Sequence, residues 1–128
     1  MNASVHIIEV TEFHLLLDGD SRVITARLHY DPADPYVITV HFDTGVTWVL
    51  GRDLLADGLH MEIGDGDVHL RPEGDQLFLT LRSPSGEALL AASRSAIAGF
   101  MADTERVVPR GTEHLRVDLD KELARLLP

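Results

Sequence analysis

Residues 30–36 read Tyr-Asp-Pro-Ala-Asp-Pro-Tyr and separate two stretches in which apolar and polar residues alternate. The apolar side chains occupy even-numbered positions on both sides: Ile24, Ala26, Leu28 and Tyr30 before, and Tyr36, Ile38, Val40 and Phe42 after. Period-two alternation is typical of half-buried β-strands, and Asp and Pro favour turns. We therefore predict a hairpin whose loop spans residues 31–35, with Tyr30 opposite Tyr36 and both tyrosines in the core.

Three further segments extend the first half of the chain. Residues 5–17 are apolar at odd and even positions, which predicts a strand with a bulge or with both faces buried. Val46, Trp48 and Leu50 alternate and predict a strand whose tryptophan packs in the core. Residues 52–58 contain strong helix formers and end in glycine, so we expect a short helix with Gly58 as its left-handed cap.

The second half begins with another set of strands. Alternating apolar residues predict strands over residues 59–63, 68–72 and 77–81. From Ser83-Pro84 the apolar period lengthens, which predicts a long helix that ends near Val108. Its buried stripe is expected to contain Leu89, Leu90, Ser93, Ile97, Phe100 and Met101.

A short final helix is predicted to open near Asp118. Its apolar face would contain Leu119, Leu123, Leu126 and Leu127, which needs a surface to dock on. Hairpin-connected strands with segregated helices predict an α+β fold, an antiparallel sheet packed on helices. With 128 residues, the chain fits a single domain spanning residues 1–128.

The composition excludes several functional classes. A net charge of −10 repels phosphate backbones and therefore disfavours nucleic acid as a partner. No apolar run approaches the roughly 18 residues of a membrane span, and no basic segment precedes an apolar one as in a secretory signal. The absence of cysteine excludes disulfides and thiolate nucleophiles and is compatible with the cytoplasm. We therefore expect a cytoplasmic protein.

No arrangement of residues points to catalysis or to a bound metal. The seven histidines show no ligand spacing, and His29 and His41 fall on the outward side of their strands, with His41 expected to face Thr25. The Asp-Gly-Asp segments at 18–20 and 65–67 lack the remaining ligands of a calcium loop. No nucleophile elbow, phosphate loop or dinucleotide fingerprint is present, so we expect no enzyme activity, no cofactor and no metal.

A series of short motifs nevertheless follows a recognisable order. In sequence these are Tyr30-Asp31, Ala33-Asp34-Pro35-Tyr36, Trp48-Val49, Arg52-Asp53-Leu54-Leu55, Gly58-Leu59-His60, Gly66-Asp67-Val68, Ser83-Pro84, Gly86-Glu87-Ala88-Leu89-Leu90, Val108-Pro109, Gly111-Thr112-Glu113-His114, Asp118-Leu119-Asp120 and Glu122-Leu123. Together they closely resemble the SsgA-like family of actinobacterial sporulation and cell-division regulators, over nearly the whole chain. Within that family the pattern is most similar to the SsgB type.

The resemblance implies a function and a fold. The family implies a non-enzymatic adaptor at the division septum that positions or recruits the tubulin-like protein FtsZ for sporulation septation, with other SsgA-like proteins as partners. Its fold is similar to the whirly-type domain, a pair of four-stranded sheets with helices that assembles as a trimer. The missing fourth strand of the second set would then lie at residues 112–117. The same similarity leaves single-stranded nucleic acid binding as the alternative function.

Polar or conformationally special positions in the matching motifs define the candidate partner-binding site. These residues are Arg52, Asp53, Pro109, Gly111, Glu113 and His114. They are candidates because the adaptor function requires a protein-binding surface, although a glycine such as Gly111 also serves a simple reversal of the chain.

Overall fold

The structure is a computed structural model that describes residues 5–127, without the side chains of residues 118–121. In chain order its elements are β1 (Ile7–Leu17), β2 (Asp20–Tyr30), β3 (Val37–Phe42), β4 (Thr47–Gly51), α1 (Arg52–Gly58), β5 (Ile63–Asp65), β6 (Val68–Glu73), β7 (Gln76–Ser83), β8 (Gly86–Ser93), α2 (Arg94–Val107) and α3 (Glu113–Leu126). The predicted α+β class with an antiparallel sheet is confirmed. Among these described residues, no helix has the length and apolarity needed to cross a membrane.

All eight strands form one curled sheet in the order β4-β3-β2-β1-β8-β7-β6-β5. Two four-stranded meanders meet where Phe13, His14 and Leu15 pair with Ala92, Ala91 and Leu90. Strand β1 also pairs with β2 without interruption over residues 7–17, so the predicted bulge is wrong. Burial of both faces is wrong as well, because Ile8 and Val10 are exposed on the outer face.

The core lies on the inner face of the sheet. The even-numbered residues from Ala26 to Tyr30 in β2 and from Ile38 to Phe42 in β3 are buried there, as their alternation predicted, whereas Ile24 and Trp48 are half-buried. Ile97, Phe100 and Met101 of α2 pack into the same cluster, which confirms that half of the predicted helical stripe. Helices α1 and α2 therefore pack on the inner face and leave the outer face bare.

The central hairpin forms with a different register from the one predicted. Ala26 pairs with Phe42 and Arg27 with His41, so His41 does not face Thr25. Parity is unchanged, because the shift moves the pairing by an even number of residues. The loop extends through Tyr36, which is 50% exposed, so its predicted entry into the core is wrong, whereas Tyr30 is fully buried.

Local hydrogen bonds explain the longer loop. The side chain of Asp31 accepts a hydrogen bond from the Ala33 N–H at 2.9 Å, and the Asp31 carbonyl accepts one from Asp34 at 2.9 Å. The carbonyl of Tyr36 accepts from the backbone N–H of Arg52 at 2.8 Å. The conformation of the loop is therefore set by the hydrogen bonds of Asp31 and by the bond from Arg52 at the start of α1, and Tyr30 and Tyr36 do not pair.

The predicted start of the long helix at Ser83-Pro84 is wrong. Residues 86–93 form β8, which pairs with β7 along its whole length and with β1 at the centre of the sheet. Leu90 and Ala92 are buried there, and Ser93 caps the helix that follows by accepting a hydrogen bond from the Ala96 N–H at 3.1 Å. Pairing on both sides overrides the helix propensity of an Ala- and Leu-rich segment.

Strand β8 is the fourth strand of the second set, so the strand expected at residues 112–117 is wrong. That segment belongs to α3, which begins at Glu113 and not near Asp118. Within the predicted apolar face of this helix, Leu123, Leu126 and Leu127 are exposed. The side chain of Leu119 lies outside the described residues.

The short helix over residues 52–58 is confirmed, but its glycine has another role. Gly58 does not adopt a left-handed conformation. A Cβ at this position would lie 2.5 Å from Cδ1 and 2.8 Å from Cβ of Leu70, so only glycine lets α1 approach β6 this closely. The strand predicted from Leu59 shortens to Ile63–Asp65, because Leu59 packs in the core at the end of α1.

Candidate functional site

The candidate residues converge where α1 meets the connection between α2 and α3. Arg52 is placed at the first position of α1, directly after β4, and only 2% of it is exposed. Its Nη1 donates to the carbonyl oxygens of Val108 at 2.7 Å and Thr104 at 3.4 Å. One arginine therefore binds the carboxyl end of α2, where helix carbonyls lack partners within the helix.

The second amino group of Arg52 completes a buried ion pair. Nη2 donates to Oε2 of Glu113 at 2.8 Å, and Glu113 is 5% exposed. Oε1 of the same carboxylate accepts a hydrogen bond from the Gly111 N–H at 2.7 Å. The hydrogen bond from Arg52 holds the pKa of Glu113 below its usual value, so the carboxylate stays ionised.

Gly111 shapes the loop that this pair holds. Its φ of +93° lies in the left-handed region, which L-residues with a side chain rarely adopt. The hydroxyl of Thr112 donates to the Pro109 carbonyl at 2.6 Å and stabilises the same turn. The loop is therefore fixed from both ends, by its own turn and by Glu113.

Tyr30 joins the central hairpin to Arg52. The guanidinium carbon lies 5.1 Å from the centroid of the Tyr30 ring, and Arg52 Nε has no hydrogen-bond partner among the described residues. The Tyr30 hydroxyl donates to the Pro35 carbonyl at 3.0 Å. Burial raises the pKa of Tyr30 to about 12, which keeps the hydroxyl protonated as a donor.

A second arginine lies above this buried layer, at the surface. Arg110 donates from Nε to Oδ1 of Asp53 at 2.9 Å and from Nη2 to Oδ1 of Asp57 at 2.8 Å. The hydrogen bond to Asp57 raises the pKa of Arg110, and the charge of Asp53 adds to this effect. We call the exposed surface formed by Asp53, Asp57, Pro109, Arg110, Gly111 and His114 the α1–loop surface.

The structure therefore brings all six candidates together but separates them by burial. Asp53, Pro109, Gly111 and His114 are exposed, whereas Arg52 and Glu113 lie beneath them and hold their positions. Arg110 and Asp57 were missed by the sequence reasoning. Arg110 lies between two of the matching motifs, and that position was the available signal for it.

A row of three histidines occupies the outer face of the sheet. Nδ1 of His6 lies 2.7 Å from Nε2 of His29, and the rings of His29 and His41 are 6.1 Å apart. Desolvation, followed by the charge of His6, lowers the pKa of His29. In the part of the chain that the structure describes, no cluster of three or more His, Asp or Glu residues is arranged to hold a metal ion.

Comparisons with known proteins place this geometry in a family context. A family model described as "Streptomyces sporulation and cell division protein, SsgA" matches residues 24–113. The sporulation-specific cell division protein SsgB of Streptomyces coelicolor is 44% identical over 127 residues, covering 91% of this chain and 93% of that protein. SsgB of Frankia casuarinae is 42% identical over 122 residues, covering 88% and 85%.

Solved structures show the same fold. The crystal structure of an SsgA-like sporulation-specific cell division protein from Thermobifida fusca superimposes with a TM-score of 0.90 at 32% identity, over 99% of this chain and 100% of that one. A structure of SsgB from Streptomyces coelicolor gives a TM-score of 0.85 at 38% identity, over 91% and 98%.

Proposed function

Because the chain belongs to the SsgA family, we propose that it acts in cell division during sporulation, as a non-enzymatic adaptor that positions FtsZ for septum assembly. This membership confirms the resemblance drawn from the sequence motifs, and the relatives named SsgB support the SsgB type. These relatives are sporulation-specific cell division proteins, which supports the cellular role.

The observation that carries the adaptor function is the set of buried hydrogen bonds beneath the α1–loop surface. The buried pair of Arg52 and Glu113 ties α1, the end of α2 and the start of α3 together. A partner that docks on a surface already held in place loses less conformational freedom on binding. Arg110 presents a guanidinium between two carboxylates at this surface, and arginine is common among residues that dominate binding energy.

This proposal includes a location and further partners. The protein works in the cytoplasm at the division septum, where FtsZ and other SsgA-like proteins are its partners. It assembles as a trimer with a whirly-like arrangement of its two meanders. Sedimentation at the monomer mass across micromolar concentrations would contradict the trimer without affecting the adaptor function.

Co-sedimentation with FtsZ polymers tests the adaptor function. We expect the purified chain to pellet with FtsZ in the presence of GTP and to remain in the supernatant without polymer. The measurement is made at low salt and repeated over a range of concentrations. Absence of the chain from the pellet throughout, together with unchanged FtsZ assembly, would contradict the proposal.

Single-stranded nucleic acid binding remains the second candidate, and one contact favours it. On the outer face, the guanidinium carbon of Arg71 lies 4.6 Å from the centroid of the Phe78 ring, an aromatic and cation pair of the kind that stacks on bases. The net charge of −10 opposes it. A mobility shift with oligothymidine that weakens steeply with salt would support it over the adaptor function.

A further inference from the structure

Strand β4 forms one edge of the sheet, and half of its backbone groups point away from the protein. The N–H of Phe42 donates to the carbonyl of Val46 at 2.9 Å, which closes the β3–β4 turn. Because hydrogen-bonded pairs alternate in antiparallel strands, the even-numbered residues of β4 bond to β3. The N–H and C=O groups of Thr47 and Val49 therefore face outward, and among the described residues they have no hydrogen-bond partner.

Strand β4 lacks the residues that usually prevent an edge strand from pairing with another strand. Residues 46–50 contain no charge and no proline, and Val49 is 59% exposed. The opposite edge, β5, differs: it has three residues, Ile63–Asp65, and includes a glycine and an aspartate. Short, charged edges are how proteins prevent unwanted pairing, so β5 is protected and β4 is open.

A cavity of about 350 Å³ opens on the inner side of this edge. Its apolar lining comes from both meanders: Leu15, Ile24, Phe42, Trp48, Leu81 and Leu90. Directly opposed residues of paired strands share a face, so a residue opposite Trp48 would place its side chain on the inner face, next to Trp48 at the rim of this cavity. The volume lies within the range of sites that hold a ligand group.

We propose that β4 binds an extended segment of a partner protein by strand addition, with an apolar side chain opposite Trp48 filling the cavity. The outward N–H and C=O groups of β4 can pair with the backbone of another extended chain, and the cavity has room for a side chain such as leucine. The acidic charge of the protein, −10 overall, favours a segment with basic ends and no acidic residues. The inference rests on the proposed adaptor function for the existence of a partner but does not require that partner to be FtsZ.

A synthetic peptide, RTVTLTVTR, tests this docking mode. We expect the peptide to slow amide hydrogen exchange at Thr47 and Val49 at least tenfold while leaving the β5 edge unchanged. N-methylation of the two threonines that flank the leucine removes the amides that face β4 and should abolish this protection. N-methylation of the leucine, whose amide points away from β4, should preserve it. Equal binding by both methylated peptides would overturn the proposal.

A pair of protein variants provides the matched control. Val49→Pro removes an outward amide without removing a bond to β3 and should weaken peptide binding at least tenfold, whereas Val49→Thr should bind as the wild type does. Unchanged binding by a folded Val49→Pro chain would overturn the proposal. Should that variant not fold, the methylated peptides decide the question on the wild-type chain.

Two further results separate the possible outcomes. Protection of Val49 in the chain alone, rising with protein concentration, would show that a second copy occupies β4 and would overturn binding of a partner there. Co-sedimentation with FtsZ by a chain whose β4 does not bind the peptide would refute strand addition and leave the adaptor function standing. Binding of the peptide by a chain that does not co-sediment with FtsZ would support strand addition and refute the FtsZ adaptor function.

Discussion

Two arginines link α1 to the connection between α2 and α3, and they differ in burial. Arg52 reaches Glu113 and two helix carbonyls inside the protein, whereas Arg110 reaches Asp53 and Asp57 at the surface. The attraction between the ions is similar in kind, but solvent screens the exposed pair and not the buried one. We therefore expect the buried link to contribute more to stability than the exposed link, which lies at the surface where a partner could reach it.

Removing the buried link should have the largest effect. Arg52→Ala leaves the Glu113 carboxylate buried without its cation and leaves the carbonyl of Val108 without its donor. We expect a loss of about 3–5 kcal/mol in the free energy of unfolding, measured by urea denaturation. Arg106→Ala, which removes an exposed arginine from the end of α2, is the control and should change stability by less than about 1 kcal/mol. Equal losses of unfolding free energy in Arg52→Ala and Arg106→Ala would refute the claim that the buried link contributes more to stability than an exposed one.

Glu113→Gln should reveal the same link through its pH dependence. The pKa of Glu113 is lowered in the folded protein, chiefly by the hydrogen bond from Arg52. The ionised carboxylate therefore stabilises the fold above its ordinary pKa of 4.5, and this stabilisation is lost as pH falls through the lowered pKa of the folded state. The wild type should exceed the variant in stability at pH 7 by about 1.5–3 kcal/mol. This difference should shrink below the ordinary pKa. A difference independent of pH from 7 to 3 would contradict the ion pair.

Gly111→Ala should have an intermediate effect because it strains the loop between the two links. A φ of +93° costs an alanine about 1–2 kcal/mol, although a Cβ there would meet no atom within 4 Å. Thermal unfolding should show the loss. Gly99→Ala, in α2 and with equally open space, should stabilise the protein slightly or leave it unchanged, so destabilisation by both changes would exclude backbone strain as the cause.

Much of this fold was predictable because the core follows local periodicity. The even-numbered face of β2 and β3 was predicted correctly, and so was α1. The register was not, because it depends on the Asp31 side chain and on a hydrogen bond between Arg52 and Tyr36. Strand β8 was missed because its helix-forming residues become a strand only through pairing with both neighbours.

The candidate site was also only partly predictable from the sequence. Motif positions identified Arg52 and Glu113, but they lie 61 residues apart, and no local pattern shows that they form a buried pair. Both are buried, so they hold the surface in position from beneath it. Arg110 carried no signal beyond its place between two motifs, since its partners Asp53 and Asp57 belong to a distant helix.

The exposed link should contribute least to stability. Arg110→Ala removes two hydrogen-bonded contacts to partly exposed carboxylates, and we expect a change of about 0–1 kcal/mol in unfolding free energy, decreasing with added salt. Urea denaturation at low and high salt measures it. A loss as large as that of Arg52→Ala would show that Arg110 also supports the fold.

Binding of FtsZ polymers by the folded Arg110→Ala chain tests the central claim most directly. We expect the affinity of Arg110→Ala for FtsZ polymers to fall at least tenfold in co-sedimentation titrations, while Arg106→Ala binds as the wild type does. The two variants remove the same charge from exposed sites, so net charge alone cannot separate them. Wild-type affinity in Arg110→Ala, with the fold intact, would contradict a role for the α1–loop surface in recognition.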